Sequence, residues 1–427
     1  MPVSAPQVQF HLLAKPAGPA CNLACTYCFY LSRWDQAGVR GMSPGVLEAY
    51  IRDYLAAQPD GPVDFTWQGG EPTLLGIEFF RTALAHQRRF RRPGQEVSNS
   101  FQTNGVLLNR EWCTFLRDEG FLVGLSIDGP REIHDRHRLN LGGQGSFDRV
   151  FAGLEALVAA GTPFNTLTVV TRQSAPDAQA IYRFLRRHGN GHLQLIPLVE
   201  RRRSPKPHDF AGPPAAGENI PVSDETVPAA DWGAFLAVVF AEWLERDVGR
   251  IFVRDFENWL GLSMGLPSSL CTTAPTCGRS LAVEADGTVY SCDHYVYPEY
   301  ALGRVGERPL AEMVLDPRQR AFGDDKASSL SSDCRACPWL TQCGGGCPKH
   351  RFAPAKDPGD PRRKDHLCRG WQAFLPLAAP AFKALGESLR QRRDPAGVMR
   401  DRVLVGQVRQ QARTLAERTF PGWAWKS

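Results

Sequence analysis

Three thiols within eight positions, Cys21-x3-Cys25-x2-Cys28 in "CNLACTYCFY", constrain this chain more than any hydrophobic pattern in it. A structural zinc site takes four tetrahedral ligands, commonly from paired C-x2-C knuckles. Here the thiols number three and crowd too closely for two knuckles. Three thiolates on a four-iron cluster leave one iron open, and an open metal position binds a substrate or cofactor directly. The missing fourth ligand is therefore expected to come from outside the protein.

The remaining cysteines extend this reading. The chain has 427 residues and 12 cysteines. Cys113 stands alone in "NREWCTFLRDEG" and reads as a helical core residue. Eight others lie between Cys271 and Cys368. Disulfides are the competing explanation, but "MPVSAPQVQFHLLAKPAG" carries no apolar leader and no run is long enough to span a bilayer. A cytoplasmic location is expected, where thiols stay reduced. The clustered cysteines suit one open site of three thiolates and two closed sites of four. Spacing alone groups Cys347 with Cys334, Cys337 and Cys343, and two zinc ribbons remain another reading of this region.

With 43% hydrophobic and 22% charged residues, the composition suits a soluble chain of two or three domains. A net charge of +5 is too mild to argue for nucleic acid. Neither a nucleic-acid nor a membrane partner is expected.

From Gln9 to about Glu200 strand-like and helix-like segments alternate. "QFHLLAKPA", "VDFTWQGGEP", "VSNSFQTNG", "FLVGLSIDG", "TPFNTLTVVT" and "LQLIPLVE" are short, apolar and rich in β-branched or aromatic residues. Helices are expected to start at Ser43-Pro44, a cap followed by a first-turn proline, and near Ile77, Asn109, Ser146 and Ala175. Six β/α units in series predict a parallel sheet, open or partly closed as a barrel. "WQGGEP", "QTNG" and "SIDGP" place glycine and polar residues at strand ends, the rim where β/α barrels build sites. Residues 201–230 are rich in proline, glycine and charge and read as a loop. "DWGAFLAVVFAEWLERD" reads as an amphipathic helix bridging two domains, Asp286-Gly287 as a hairpin turn, and the basic tail as a solvated surface helix.

Cys21, Cys25 and Cys28, with Tyr27 before the last, resemble the signature of the radical S-adenosylmethionine enzymes. The resemblance implies an α/β fold, a partial (β/α)6 barrel. It also implies a [4Fe–4S] cluster whose open iron chelates S-adenosylmethionine, cleaved by one electron to a 5′-deoxyadenosyl radical. "GGEP", with Gly69, Gly70 and Glu71, resembles the family's glycine-rich strand end. Tyr27, Ser126, Asp128 and Arg138 fall where relatives contact the cofactor. The later cysteines resemble the SPASM extension. By that likeness Cys271, Cys277, Cys292 and Cys347 hold one auxiliary [4Fe–4S] cluster, and Cys334, Cys337, Cys343 and Cys368 another, making three clusters in all. The implied organisation is a barrel over 1–230, a bridging helical segment over 231–265, a SPASM domain over 266–375 and a basic helical tail over 376–427.

"KPAGPACNLACTYCFYL", "WQGGEPTLLGIEFF" with "SFQTNG", and "CDHYVYPEYALGRV" together resemble the anaerobic sulfatase-maturating enzymes. That implies oxidation of a cysteine or serine to Cα-formylglycine in an unfolded sulfatase carrying a C/S-x-P/A-x-R motif. A low-potential donor such as flavodoxin or ferredoxin supplies electrons. Asp293, directly after Cys292, is the expected base, with His294 and Tyr295 as second choices. Tyr30 and Gln68 are expected to touch the peptide. The alternative is a radical SPASM maturase that crosslinks a ribosomally made peptide. A third reading is a non-catalytic metal protein that binds nucleic acid through its basic tail.

Overall fold

A computed structural model describes residues 7–31, 41–214 and 218–426. Residues 1–6 of the stretch read for a leader, and 215–217 of the proline-rich loop, lie outside the described residues.

The first half alternates as its sequence demands. It runs β1 (His11–Ala14), α1 (Pro44–Ala57), β2 (Gly61–Trp67), α2 (Ile77–Phe90), β3 (Gln95–Thr103), α3 (Arg110–Asp118), β4 (Phe121–Ser126), α4 (Arg131–His134), α5 (Phe147–Ala160), β5 (Phe164–Val170), α6 (Ala178–His188) and β6 (His192–Pro197). Ser43 caps α1 by accepting from the Val46 amide at 3.3 Å, with Pro44 in the first turn. Asn109 caps α3 through the Trp112 amide at 2.9 Å. Within β2, Val63, Phe65 and Trp67 point inward on alternate positions. Phe65 and Trp67 join Tyr50, Tyr54, Phe80, Phe101, Trp112 and Phe121 in an edge-to-face aromatic core.

β1 to β6 pair in parallel and in chain order, and the expected partial (β/α)6 barrel is what forms. The proline-rich segment is the loop after β6, so it sits on the site rim. It leads into α7 (Ala229–Arg246), β7 (Phe252–Val253), which pairs in parallel with β6, and α8 (Arg254–Ser263).

The amphipathic pattern expected of α7 is not what forms. Every α7 residue from Trp232 to Leu244 is buried. α13 (Cys368–Arg390) and α14 (Arg402–Thr419) pack against it, and a helix buried on every side is a core helix.

β8 (Ser280–Val283), β9 (Thr288–Tyr290) and β10 (Ala301–Arg304) follow. The turn at Asp286-Gly287 joins β8 to β9 as read from sequence, Asp286 Oδ1 accepting from the Thr288 amide at 2.9 Å. β8 also pairs in parallel with β1, so the barrel sheet runs on into the cysteine-rich region as a single ten-stranded sheet. Beyond lie α9 (Leu310–Leu315), α10 (Pro317–Ser328), α11 (Ser332–Arg335), α12 (Leu340–Cys343), the β11 (Arg351–Pro354) and β12 (Arg363–Asp365) hairpin, α13 (Cys368–Arg390) and α14 (Arg402–Thr419). The tail helix α14 is largely exposed, as expected of a surface helix, and docks on α7 through one narrow stripe, Val408, Ala412 and Ala416.

Candidate active site and cysteine clusters

The cysteine loop leaves β1 and is fixed from several sides. Glu71 donates its amide to Ala20 O at 2.7 Å, Ala24 to Leu139 O at 2.7 Å and Thr26 to His137 O at 3.0 Å. His208, with a left-handed backbone at φ 61°, brings its ring from the proline-rich loop to Cys25 O at 3.0 Å. Asn104, at the end of β3, places Nδ2 3.6 Å from Cys21 Sγ and 2.7 Å from Asn22 Oδ1. Burial pushes the Cys21 thiol up to about 11 and Cys25 up to about 12, and it raises Cys28 as well. Free thiols here hold their protons at neutral pH, and binding a metal releases them.

Gly69 and Gly70 let β2 approach this loop. A Cβ at Gly70 would stand 2.0 Å from Ala20 O and one at Gly69 2.7 Å from Lys15 Cβ. Glu71 is completely buried. Its carboxylate accepts from the Thr73 amide and hydroxyl, the Thr103 hydroxyl and the Asn104 amide, tying β2 to β3. The side chain expected to meet a cofactor thus spends its lone pairs on protein.

Tyr27, Asp128 and Arg138 form one buried chain. The Tyr27 hydroxyl donates to Asp128 at 2.6 Å and accepts from Arg138 Nη1 at 2.8 Å. Ser126 ends β4, buried, two residues before Asp128. Beneath them His134 Nδ1 accepts from the Asp128 amide at 3.3 Å, and its Nε2 meets Ser146 Oγ at 3.0 Å.

Asp293 stands on the same rim. Lys15 Nζ lies 2.5 Å from one carboxylate oxygen, and Gln68 Nε2 donates to the other at 3.2 Å. Lys15 is 2% exposed and Asp293 27%. Burial works to raise the Asp293 pKa, but the Lys15 charge and hydrogen bond outweigh it with help from Lys349, leaving the carboxyl below its ordinary range. The Lys15 ammonium also sits 3.8 Å from the Tyr30 ring centroid, while the Tyr30 hydroxyl bonds to Glu284. Tyr30 therefore reaches Asp293 through Lys15.

His294 Nδ1 is 3.6 Å from Cys347 Sγ. Burial first, then the Lys349 charge, lowers its pKa to about 4, so it is neutral. Lys349 pairs with buried Glu200 at 2.5 Å and lies 4.5 Å over the Phe29 ring. Lys15, Asn104, Glu200 and Lys349 are the residues that sequence reasoning misses. Lys15 reads there as a polar residue ending a strand, with no local sign of its burial.

The later cysteines fall into two sets. Besides burial, the charge on Cys347 is opposed by Cys271 and Cys277, and that on Cys292 by Cys347 and Cys271. Cys343 is opposed by Cys334 and Cys368, and Cys368 by Cys334 and Cys337. Cys334, Cys337, Cys343 and Cys368 line one cavity with Trp339, Asp365 and Trp371.

Against this geometry stand close relatives. The serine-type anaerobic sulfatase-maturating enzyme of Bacteroides thetaiotaomicron is 37% identical over 91% of this chain and 94% of its own. The chain belongs to the anaerobic sulfatase-maturating enzymes. The serine-type enzyme of Klebsiella aerogenes is 38% identical over 86% of this chain and 85% of its own. The cysteine-type enzyme of Clostridium perfringens is 33% identical over 89% and 99%. A solved structure of native anSMEcpe with bound AdoMet and Cp18Cys peptide superposes with a TM-score of 0.78 at 30% identity, over 90% of this chain and all of that one. The Radical SAM superfamily model matches residues 16–185, and the SPASM iron-sulfur cluster-binding domain matches 271–338.

This maturase core is suited to the cofactors that its family implies, iron–sulfur clusters and S-adenosylmethionine. Thiolates are the ligands of iron–sulfur clusters, and Cys334, Cys337, Cys343 and Cys368 already line one cavity. Beside the first set, Arg138 Nε and Asn22 Nδ2 are buried without a hydrogen-bond partner among the described residues. Two orphan donors next to three thiols fit a bound anionic group such as an amino-acid carboxylate.

Proposed function

We propose that this chain oxidises serine, and less readily cysteine, to Cα-formylglycine in an unfolded sulfatase segment of the form C/S-x-P/A-x-R. The observation that carries this is an ionised carboxylate, Asp293, on the same rim as the three-thiol loop and directly after Cys292. The serine preference is supported by 37% and 38% identity to serine-type relatives against 33% to a cysteine-type one.

Conversion of –CH2–OH to –CHO removes one hydrogen atom from Cβ, one proton from oxygen and one electron. S-adenosylmethionine, held at an iron–sulfur cluster on Cys21, Cys25 and Cys28, would supply the one-electron chemistry that takes the hydrogen atom. Asp293 takes the proton. Lys15 makes it a weak base, which suffices because a hydroxyl beside a radical carbon is far more acidic than an ordinary alcohol. Gln68 orients the carboxylate, and Tyr30 and Gln68 border the peptide. Gly69, Gly70 and Glu71 shape the wall against the cysteine loop, and Tyr27, Ser126, Asp128 and Arg138 face the cofactor.

In this reading Cys21, Cys25 and Cys28 hold one [4Fe–4S] cluster. Cys271, Cys277, Cys292 and Cys347 hold a second, and Cys334, Cys337, Cys343 and Cys368 a third. A low-potential flavodoxin or ferredoxin is the electron donor. The cytoplasm is the expected compartment, and none of the cysteines is in a disulfide. No helix among the described residues is long and apolar enough to cross a membrane.

The test is anaerobic incubation of reduced enzyme and S-adenosylmethionine with paired peptides that differ only in serine or cysteine, read by mass spectrometry. Loss of two hydrogens from the serine peptide, faster than oxidation of the cysteine peptide, is expected. Asp293→Asn is expected to lower formylglycine yield by roughly 10²–10⁴-fold, while 5′-deoxyadenosine is still released. A crosslinked product without an aldehyde would point to the peptide-crosslinking alternative.

A further inference from the structure

Two buried cations stand among the second group of cysteines, and the proposed reaction leaves them without a role. Lys326, on α10, is completely buried. Its ammonium donates to Cys271 O at 2.5 Å and to Thr272 O at 3.0 Å. Arg351, which opens β11, is 6% exposed. Its Nε donates to Gly345 O at 2.9 Å and its Nη1 to Lys326 O at 2.7 Å and Ser329 Oγ at 3.1 Å. Its Nη2 has no hydrogen-bond partner among the described residues, although it is buried. Both cations act on the Cys277 thiolate, and Lys326 also interacts with Cys271 and Cys347. Asp365 is the buried acid that both cations face, and it lines the neighbouring cavity of Cys334, Cys337, Cys343 and Cys368.

Burying a cation is costly unless something compensates its charge. Backbone carbonyls satisfy hydrogen bonds but carry no net charge. Among the described residues one buried carboxylate, Asp365, stands against the two buried cations, and Asp325, which also acts on Cys277, is exposed, so the buried charge stays net positive. Four thiolates around a [4Fe–4S]2+ core carry a net charge of −2, and one more electron makes it −3. The charge of such a centre, and the charges near it, set its reduction potential.

We infer that Lys326 and Arg351 are positioning residues that raise the reduction potential of a cluster held by Cys271, Cys277, Cys292 and Cys347. They would thereby make it the acceptor of the electron that leaves the oxidised substrate. The inference rests on the reading of those four cysteines as a cluster site. The electron balance is complete: the substrate radical loses one electron as its hydroxyl proton passes to Asp293 and the carbon–oxygen double bond forms, and the 2+ core becomes 1+.

The experiment uses the full chain with Cys21, Cys25 and Cys28 changed to alanine, so that only the auxiliary sites report. Midpoint potentials are read by EPR-monitored titration beside iron analysis. Arg351→Gln and Lys326→Met, fully loaded with iron, are each expected to lower one potential. The shift corresponds to a roughly tenfold weaker preference for the electron, about 59 mV for a one-electron couple. Arg351→Lys, which keeps the charge, is expected to stay near the parent. An unchanged potential in a fully loaded Arg351→Gln variant overturns the proposal. If that variant loses iron, Lys326→Met decides by the same criterion. Loss of iron from both, with retention in Arg351→Lys, overturns it in favour of a structural role. Absence of any auxiliary cluster signal in the alanine background itself would instead reject the cluster reading on which the inference rests.

Discussion

His134 shows how one residue sets the polarity of the rim. It is completely buried, and burial, assisted by the Arg138 charge, lowers its pKa to about 2. The ring is therefore neutral at working pH. Nδ1 must accept from the Asp128 amide, so Nε2 carries the hydrogen toward Ser146, whose hydroxyl donates to Arg138 O at 2.7 Å. An imidazolium has no acceptor, and protonation would break the first bond and bury a charge beside Arg138. The linkage follows from the sign of the shift. The unfolded chain binds a proton near pH 6.5 and the folded chain does not until about pH 2. The stability contributed is fully present above pH 6.5 and declines as pH falls toward the folded value, with a slope of up to about 1.4 kcal/mol per pH unit. His134→Gln keeps a donor and an acceptor but does not titrate. Denaturant unfolding of the metal-free chain between pH 7 and 5 is expected to show a shallower loss of stability in the variant, by about one proton. Equal slopes would mean that His134 is already charged in the fold.

The close approach of β2 to the cysteine loop is the element-scale device that builds the rim. Gly70→Ala places a methyl group 2.0 Å from Ala20 O and 2.7 Å from Gly18 O, both backbone atoms that cannot rotate away. The loop must move from β2, at a cost of about 1–3 kcal/mol. The variant is expected to fold, to lose S-adenosylmethionine binding in equilibrium dialysis, and to retain iron in the later cysteine sets. Gly45→Ala, at an exposed position of α1 with no atom within 4 Å of the new methyl, is the control. It is expected to be neutral or stabilising by about 0.5–1 kcal/mol. The strand ends and helix starts that make this rim were legible because glycine, Ser43-Pro44 and Asn109 act through local geometry. The burial of α7 and the docking stripe of α14 were not. Val408, Ala412 and Ala416 form a narrow stripe of small residues within a basic helix, and only the surface of α7 that receives them shows why they are apolar. Lys15 was hidden for the same reason: its partner Asp293 arrives from the far end of the sequence.

At the scale of the whole molecule, long-range pairing decides which cysteines meet. The parallel pairing of β8 with β1 carries Cys292 and Asp293 to the barrel rim, an arrangement with no local sequence signal. Cys347 is the sharpest case. Spacing joins it to Cys334, Cys337 and Cys343, whereas in the fold its thiolate is opposed by Cys271 and Cys277, and the neighbouring cavity is closed by Cys368 instead. The family likeness implies a crossing of Cys347 to the earlier set, and residue spacing does not. It yields a test by non-additivity, because residues that serve one unit do not add when removed together. In the chain lacking Cys21, Cys25 and Cys28, Cys347→Ala and Cys271→Ala are each expected to remove one cluster's iron and EPR signal. The double variant is expected to lose no more than either single one. Cys347→Ala combined with Cys334→Ala is expected to lose both clusters. If the Cys347 and Cys334 changes prove redundant while those of Cys347 and Cys271 add, Cys347 serves the set that spacing assigns it, and the crossing is wrong.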